Sequence, residues 1–287
     1  MRPSPAHAAD DAPVRITILV DNTVNRPGLR AEHGWAVWID AGDTTLLVDT
    51  GQSDLVIANA TALGLRFDAL DAVVLSHGHY DHTGGLAAVL ERARDGVRVY
   101  AHPAALRPKV RCTPAGSRPI GIPAEGLAAL HRPGVDLRLI ETPTDIAPGL
   151  WLTGPIPRRH AEEVPEPGFC LDPAGQIPDP LDDDLALCLE TPAGRVVILG
   201  CAHRGVVATL DQSAALRPTT RLQAVMGGMH LRSATAATLQ WSVEALKHSG
   251  YERLVPAHCT GLPAIAALWA ACPGRCGEAG VGTTLSF

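Results

Sequence analysis

Ser76-His77-Gly78-His79-Tyr80-Asp81-His82 carries four potential metal ligands, His77, His79, Asp81 and His82, behind the apolar run Leu70-Asp71-Ala72-Val73-Val74-Leu75. A short β-branched run of this kind reads as a buried strand, so the ligands fall where the strand ends and the chain turns. Residues two apart in extended backbone point the same way, so His77 and His79 can converge on one ion. Asp81 and His82 follow in the turn and can be aimed at a second point nearby. Borderline-soft divalent ions such as zinc take imidazole nitrogen and carboxylate oxygen. A histidine-rich surface loop is the bland alternative. Four ligands in register behind a buried strand argue against it.

The rest of the composition fits a folded enzyme-sized chain. Its 287 residues are 46% hydrophobic and 19% charged, enough for one large domain or two small ones and unlike a disordered chain. No apolar stretch has the length of a membrane-spanning helix, so no membrane partner is expected. A formal net charge of -6 argues against general nucleic-acid binding. Residues 1–13 are rich in Pro, Ala and Asp, without the apolar segment of a signal peptide, and read as a disordered leader. The expected address is therefore the cytoplasm, where the seven cysteines should be reduced thiols. Cys272 and Cys276 have no matching second pair and read as packing or surface thiols. Cys201 and Cys259 differ, because each lies within two residues of a histidine in a motif. Oligomeric state has no signal in the sequence.

Strands and helices alternate in both halves. Val14–Asp21, Trp35–Ile39 and Thr45–Val48 read as strands, followed by a helix capped by Ser53 or Asp54 and running to about Leu63. Ala72–Leu75 leads into the ligand turn, a helix over about Gly84–Arg94 and a strand at Val97–Ala101. The second half offers strands at Leu185–Glu190, Val196–Leu199, Leu222–Met226 and Leu254–Pro256. Its helices span about Val206–Leu216, Thr235–His248 and Pro263–Trp269. Such interleaving predicts two packed sheets with helices outside. Residues 103–136 and 155–183 are Pro-rich, lack periodicity and read as long loops, which in compact domains are usually functional or mobile.

Three further segments set a histidine just after a short apolar strand: Gly200-Cys201-Ala202-His203, Gly227-Gly228-Met229-His230 and Ala257-His258-Cys259-Thr260-Gly261. Open α/β folds collect ligands at such strand ends. His258 and His203 are the candidate metal ligands, and His230 backs the ligands or faces substrate.

The set Leu47-Val48-Asp49-Thr50-Gly51, His77-x-His79-x-Asp81-His82 with Gly84-Gly85, a strand followed by Gly200, and a late His258 resembles the metallo-β-lactamase-fold superfamily. Glu32-His33-Gly34, Thr153-Gly154-Pro155-Ile156-Pro157-Arg158, Asp183-Asp184-x-Ala186-Leu187, Gly200-Cys201-x-His203, Gly227-Gly228-x-His230-Leu231 and His258-Cys259-Thr260-Gly261 resemble one branch of it. That branch is the dihydropterin-ribofuranosylaminobenzene-phosphate synthase-like metallohydrolases. The resemblance spans about residues 15–270. It implies an α/β fold, an αβ/βα four-layer sandwich of two mixed β-sheets with helices on the outer faces, in one domain over 14–287. It also implies two metal ions, His77 and His79 binding the first and Asp81, His82 and His258 the second.

Two departures follow. The superfamily's further histidine, after a mid-chain strand, has no counterpart in Thr153-Gly154-Pro155, and His160 would need a bent loop to reach. The usual bridging aspartate is replaced by Cys201, with His203 two residues on. Either Cys201 bridges as a thiolate, or His203 supplies the missing imidazole, or both act, and one ion or two can result. Zinc is the expected metal, with iron or manganese as alternatives.

Asp81, His203 and His230 are the candidate catalytic groups. Asp49 is expected to accept a ligand histidine's second ring N–H. Arg158, Arg159 and Asp184 are the candidate substrate-binding residues, the arginines suited to a bidentate grip on phosphate. The expected activity is hydrolysis by a metal-activated water of an ester, phosphoester, thioester or lactam-like bond in a small, anionic or pterin-like substrate. Two alternatives stand beside it: a non-haem iron enzyme acting on thiols or oxygen, and a non-catalytic metal-stabilised binding protein.

Overall fold

Neighbouring residues of the central strands belong to different cores, as the two-residue period of extended chain requires. In the computed structural model, which describes residues 13–219 and 221–287, Leu46, Val48 and Val74 enter one buried cluster and Leu47 and Val73 another. Val196, Ile198, Ala224 and Met226 join the first of these, while Val197, Leu199 and Val225 face a third. The shared cluster is the interface of two sheets packed face to face. The outer faces are covered by helices: Leu55–Ala62 and Leu86–Arg92 on one side, Val206–Leu216, Ala236–His248 and Leu262–Ala271 on the other. This is the four-layer sandwich expected from the sequence. The leader expected over 1–13 lies, apart from Pro13, outside the described residues.

Among the described residues the first sheet runs in the order Thr284–Ser286, Arg15–Val20, Ala36–Ala41, Thr44–Val48, Ala72–Val74, Val97–Ala101, Val135–Leu139. Its first half is antiparallel and its second half, from Thr44–Val48 onward, parallel. The second sheet runs Tyr251–Ala257, Leu222–Gly228, Gly194–Ile198, Leu187–Thr191, Leu150–Leu152, Thr144–Ala147, with its first three strands parallel. Parallel strands deliver their carboxyl ends to one edge. Asp49, the 76–82 turn, Cys201, His230 and His258 all follow such ends.

The connections that lack periodicity in the sequence are not plain loops. Residues 103–136 fold into a hairpin, Val110–Thr113 with Gly116–Pro119, and a short helix, Ala124–Ala129. From the other connection, Phe169–Cys170 adds antiparallel to Val110–Thr113, making a small third sheet. Strands this short, with Gly and Pro in them, carry no readable alternation. Their pairing is set by tertiary context.

Candidate metal centre

The ligand turn is held from three sides. Ser76 N and Ser76 Oγ donate to the two oxygens of Asp49 at 2.8 and 2.7 Å. Gly78 N donates to Asp183 Oδ2 at 2.8 Å, and Asp183 in turn takes a hydrogen bond from the buried Lys109 Nζ at 2.9 Å. Gly200 lies against Ser76 so closely that a Cβ there would collide with the Ser76 hydroxyl, which is why a glycine follows the strand Gly194–Ile198. Close approach of the two sheets at this edge brings their ligands together.

Two clusters of donors result. His203 Nε2 stands 3.3 Å from His77 Nε2 and 3.1 Å from His79 Nδ1. Three imidazole nitrogens on one point leave lone pairs facing one another, an arrangement that a cation relieves. Around His82 Nε2, Cys201 Sγ is at 3.0 Å, His258 Nε2 at 3.2 Å and Asp81 Oδ2 at 3.9 Å, with Asp81 Oδ2 also 3.4 Å from His258 Nε2. A tetrahedral zinc with nitrogen ligands at 2.0–2.1 Å has ligand–ligand edges of about 3.3 Å. Both clusters match that scale, so the donor set fits bound divalent metal. Cys201 also lies with His77 and His82 within a 4.8 Å group, between the two clusters.

The far ring nitrogens of His82 and His258 are held as metal-ligating imidazoles require. Asp49 Oδ2 takes the Nδ1 proton of His82 at 2.6 Å, and Asn22 Oδ1 sits 2.9 Å from His258 Nδ1, each leaving Nε2 free to face a cation. Burial, then repulsion among the neighbouring imidazoles, holds His77 and His203 well below the ordinary histidine range. Burial likewise pushes His79 down to about 3. These three rings are neutral and offer lone pairs. Burial opposes charge on His82 as well, but the adjacent Asp49 lifts it to about 9. Burial also resists charge on Asp81, yet the imidazoles of His258 and His33 beside it keep it a carboxylate.

His33 was not singled out as a ligand by the sequence. Its Nε2 is 3.2 Å from Asp81 Oδ2, and it groups with Asp81 and His258. The Glu32-His33-Gly34 motif was the available signal. Glu166, also unread, sits 3.1 Å from His230 Nε2 and pairs with Arg111. Its carboxyl is drawn down to about 2, first by the His230 hydrogen bond. His230 itself is pushed by burial toward neutrality, but Cys259 and Glu166 raise it to about 10.

A cavity of about 260 Å³ opens onto the ligands and is lined by His79, Asp81, Cys201, His203 and His230. Its outer wall comes from the small third sheet. Phe169 stacks on His79 with ring centroids 5.2 Å apart, and the Arg111 guanidinium lies 4.7 Å over the Phe169 ring. Arg118, 5.7 Å over Tyr80, and Arg232 complete the mouth.

Three sequence expectations fail here. Arg158, Arg159 and Asp184 do not line this cavity. Arg159 bonds Gln212 on the outer helix, and Arg158 is exposed beside Arg204. Asp184 is buried, accepts the Arg204 backbone N–H at 2.8 Å and is raised by that burial to about 7. His160 also lies outside this cavity, bonded to Asp211 and tilted against Trp241.

The metallo-β-lactamase superfamily profile matches residues 29–258. The chain belongs to the metallo-β-lactamase superfamily. It is 32% identical over 253 residues to the uncharacterised protein MJ0448 of Methanocaldococcus jannaschii, covering 88% of this chain and 93% of that one. It is 25% identical over 243 residues to the 7,8-dihydropterin-6-methyl-4-(beta-D-ribofuranosyl)-aminobenzene-5'-phosphate synthase of the same organism, covering 82% and 83%. Among solved structures, Tm1679, a metal-dependent hydrolase of the β-lactamase superfamily, superposes with a TM-score of 0.81 at 32% identity, over 96% of this chain and 99% of that one. The superfamily and branch resemblances read from the sequence are met in these relatives. His203 meets His77 and His79, and Cys201 lies between the two clusters. Among the described residues no helix is long and apolar enough to cross a membrane.

Proposed function

We propose that this protein is a metal-dependent hydrolase acting on an ester, phosphoester, thioester or lactam-like bond of a small anionic substrate. The observation that carries this is the meeting of two donor clusters, one of three imidazoles and one of Asp81, His82, His258 and Cys201, at the base of a cavity onto which His79, His203, Asp81 and Cys201 open. His77, His79 and His203 would hold a first divalent ion, zinc on the donor chemistry, and the second cluster another. Bound there, such ions polarise the scissile group and acidify a water.

The chain's own groups do the rest. Asp81, with one oxygen beside His258 and His33, accepts and orients the proton of the attacking water. Asp49 fixes His82 through its Nδ1 proton, so the ring cannot turn. Phe169 and the hairpin wall exclude solvent over His79. Arg118 and Arg232 take over the anion-holding role first expected of Arg158 and Arg159. Neither is in an ion pair among the described residues, and both line the mouth of a chain whose net charge is -6. A planar, pterin-like group is compatible with Tyr80 and Phe169 as flanking rings.

The test is metal analysis of protein purified without added metal, followed by turnover of p-nitrophenyl acetate, p-nitrophenyl phosphate, bis(p-nitrophenyl) phosphate and a thioester. Chelator-sensitive hydrolysis of at least one is expected. Fully metallated protein that turns over none contradicts the proposal. Stoichiometric iron with visible colour would favour the thiol or oxygen chemistry instead.

A further inference from the structure

Cys259 and His230 have no part in that hydrolysis, and both lie beside Cys201 of the second cluster. Cys201 Sγ, Cys259 Sγ and a ring nitrogen of His230 lie within 4.8 Å of one another. We propose that Cys201, Cys259 and His230 form a further cation site for a thiophilic divalent ion such as zinc or cadmium, sharing Cys201 with His77 and His82.

The orientation of His230 is the first support. Its Nε2 faces the Glu166 carboxylate at 3.1 Å, which leaves Nδ1 as the ring nitrogen a cation can take in place of a proton. That Nδ1 is buried and has no hydrogen-bond partner among the described residues. Asp49 treats His82 the same way, through the opposite ring nitrogen. A carboxylate on one side of an imidazole and a cation on the other is the usual arrangement of a metal-bound histidine.

The backbone supplies the second. His230, Ala202 and His258 have φ of 48°, 53° and 49°, a left-handed conformation rare in residues other than glycine. One is a donor of the proposed site, and the other two adjoin Cys201 and Cys259. Strain gathered at three strand ends around one point marks a constellation that the surrounding fold enforces.

Gly228 is the third. A Cβ at this position would stand 2.6 Å from Cys259 Sγ and 3.3 Å from Cys201 Cα. The nearest atom of all would be the Gly200 carbonyl oxygen at 2.5 Å, so a glycine here lets the strand end pass close to Gly200 and to both cysteines. Both cysteines are free thiols, and the His230 backbone N–H donates to Cys259 Sγ at 3.3 Å.

Two thiolates and an imidazole select zinc, cadmium or similar ions over magnesium and calcium. Zinc–sulfur bonds of 2.3 Å imply tetrahedral edges of about 3.6–3.8 Å, inside the 4.8 Å within which the three donor atoms lie. Binding displaces the two thiol protons to solvent. With three protein ligands the fourth position is open, and all three donors line the 260 Å³ cavity.

Metal-depleted full-length protein, kept reduced, is titrated with cadmium while bound ion and the ultraviolet thiolate-to-cadmium absorption are followed. Cys259→Ser should lose about one equivalent of ion and part of the absorption, the rest coming from Cys201. His230→Gln should keep both thiolates but weaken the same equivalent. His79→Ala should leave the thiolate absorption in place while losing ion elsewhere. Circular dichroism and melting temperature confirm that each variant folds. The inference is overturned if Cys259→Ser leaves ion content and absorption unchanged, or if His79→Ala removes the thiolate absorption. Wild-type protein that gains this signal but hydrolyses nothing sinks the proposed hydrolysis and leaves the soft site standing.

Discussion

The two sheets furnish the centre in opposite ways. The first contributes His77, His79, Asp81 and His82 from one turn, four donors at consecutive strand-and-turn positions. The second contributes Cys201 and His203, His230 and His258, from the ends of three separate strands that only their parallel pairing sets side by side. The first set is local and rigid, pinned by Asp49, Asp183 and the Gly200 contact. The second needs left-handed backbone at Ala202, His230 and His258 to aim its donors. A contiguous ligand set can be read from sequence spacing. A dispersed one depends on topology, and its cost appears as backbone strain.

The sharpest way to break this contrast is to remove donors from the contiguous turn. A His79→Ala and His82→Ala double replacement takes one ligand from each cluster, so metal content by mass spectrometry should fall by the ions of both clusters and hydrolysis fall to background. His203→Ala, from the dispersed set, should cost the first ion only.

The next effect tests how the turn is anchored. Lys109 is buried between Asp179 and Asp183, at 2.8 and 2.9 Å. Lys109→Met leaves two buried carboxylates uncompensated and should destabilise the fold by about 3–5 kcal/mol, read from denaturant midpoints. The loss should extend to metal affinity, because Asp183 holds Gly78. Asp49→Asn keeps the packing but no longer accepts the His82 proton with a full charge. Its metal affinity should fall by roughly 10–100-fold with little change in melting temperature.

Smaller effects separate the mouth from the outer loop. Arg118→Gln and Arg232→Gln should raise KM for a phosphorylated substrate with kcat unchanged, while Arg158→Gln and Arg159→Gln should leave both constants alone. Finally, Asp184 titrates at about 7 in the folded protein against an ordinary value of 3.8. Between those values the folded state binds the extra proton, so wild-type stability falls as pH rises from about 4 to about 7. Asp184→Asn carries no such proton, and its stability relative to wild type should rise across that window and level off above it.

The sandwich was legible because its strands and helices keep their periods: Val196 to Leu199 alternates between two cores, and the Val206–Leu216 and Ala236–His248 helices follow their predicted spans. His203 was legible because it follows a strand end at the right edge. Arg118, Lys109 and Glu166 were not. They lie in the Pro-rich connections, where Phe169–Cys170 is a strand only because Val110–Thr113 lies beside it. No local pattern specifies a pairing between segments so far apart in the chain. The same absence misled the reading of Arg158 and Arg159, a basic pair with no local hint that Arg159 bonds Gln212 and that Arg158 lies exposed beside Arg204, both away from the cavity.

Anomalous diffraction from crystals of the protein, collected on either side of the zinc edge, tests the central claim most directly. The account predicts one peak equidistant from His77 Nε2, His79 Nδ1 and His203 Nε2, and another among Asp81, His82, His258 and Cys201. Peaks confined to other parts of the molecule, or crystals grown with excess zinc that show none at these donors, would contradict it.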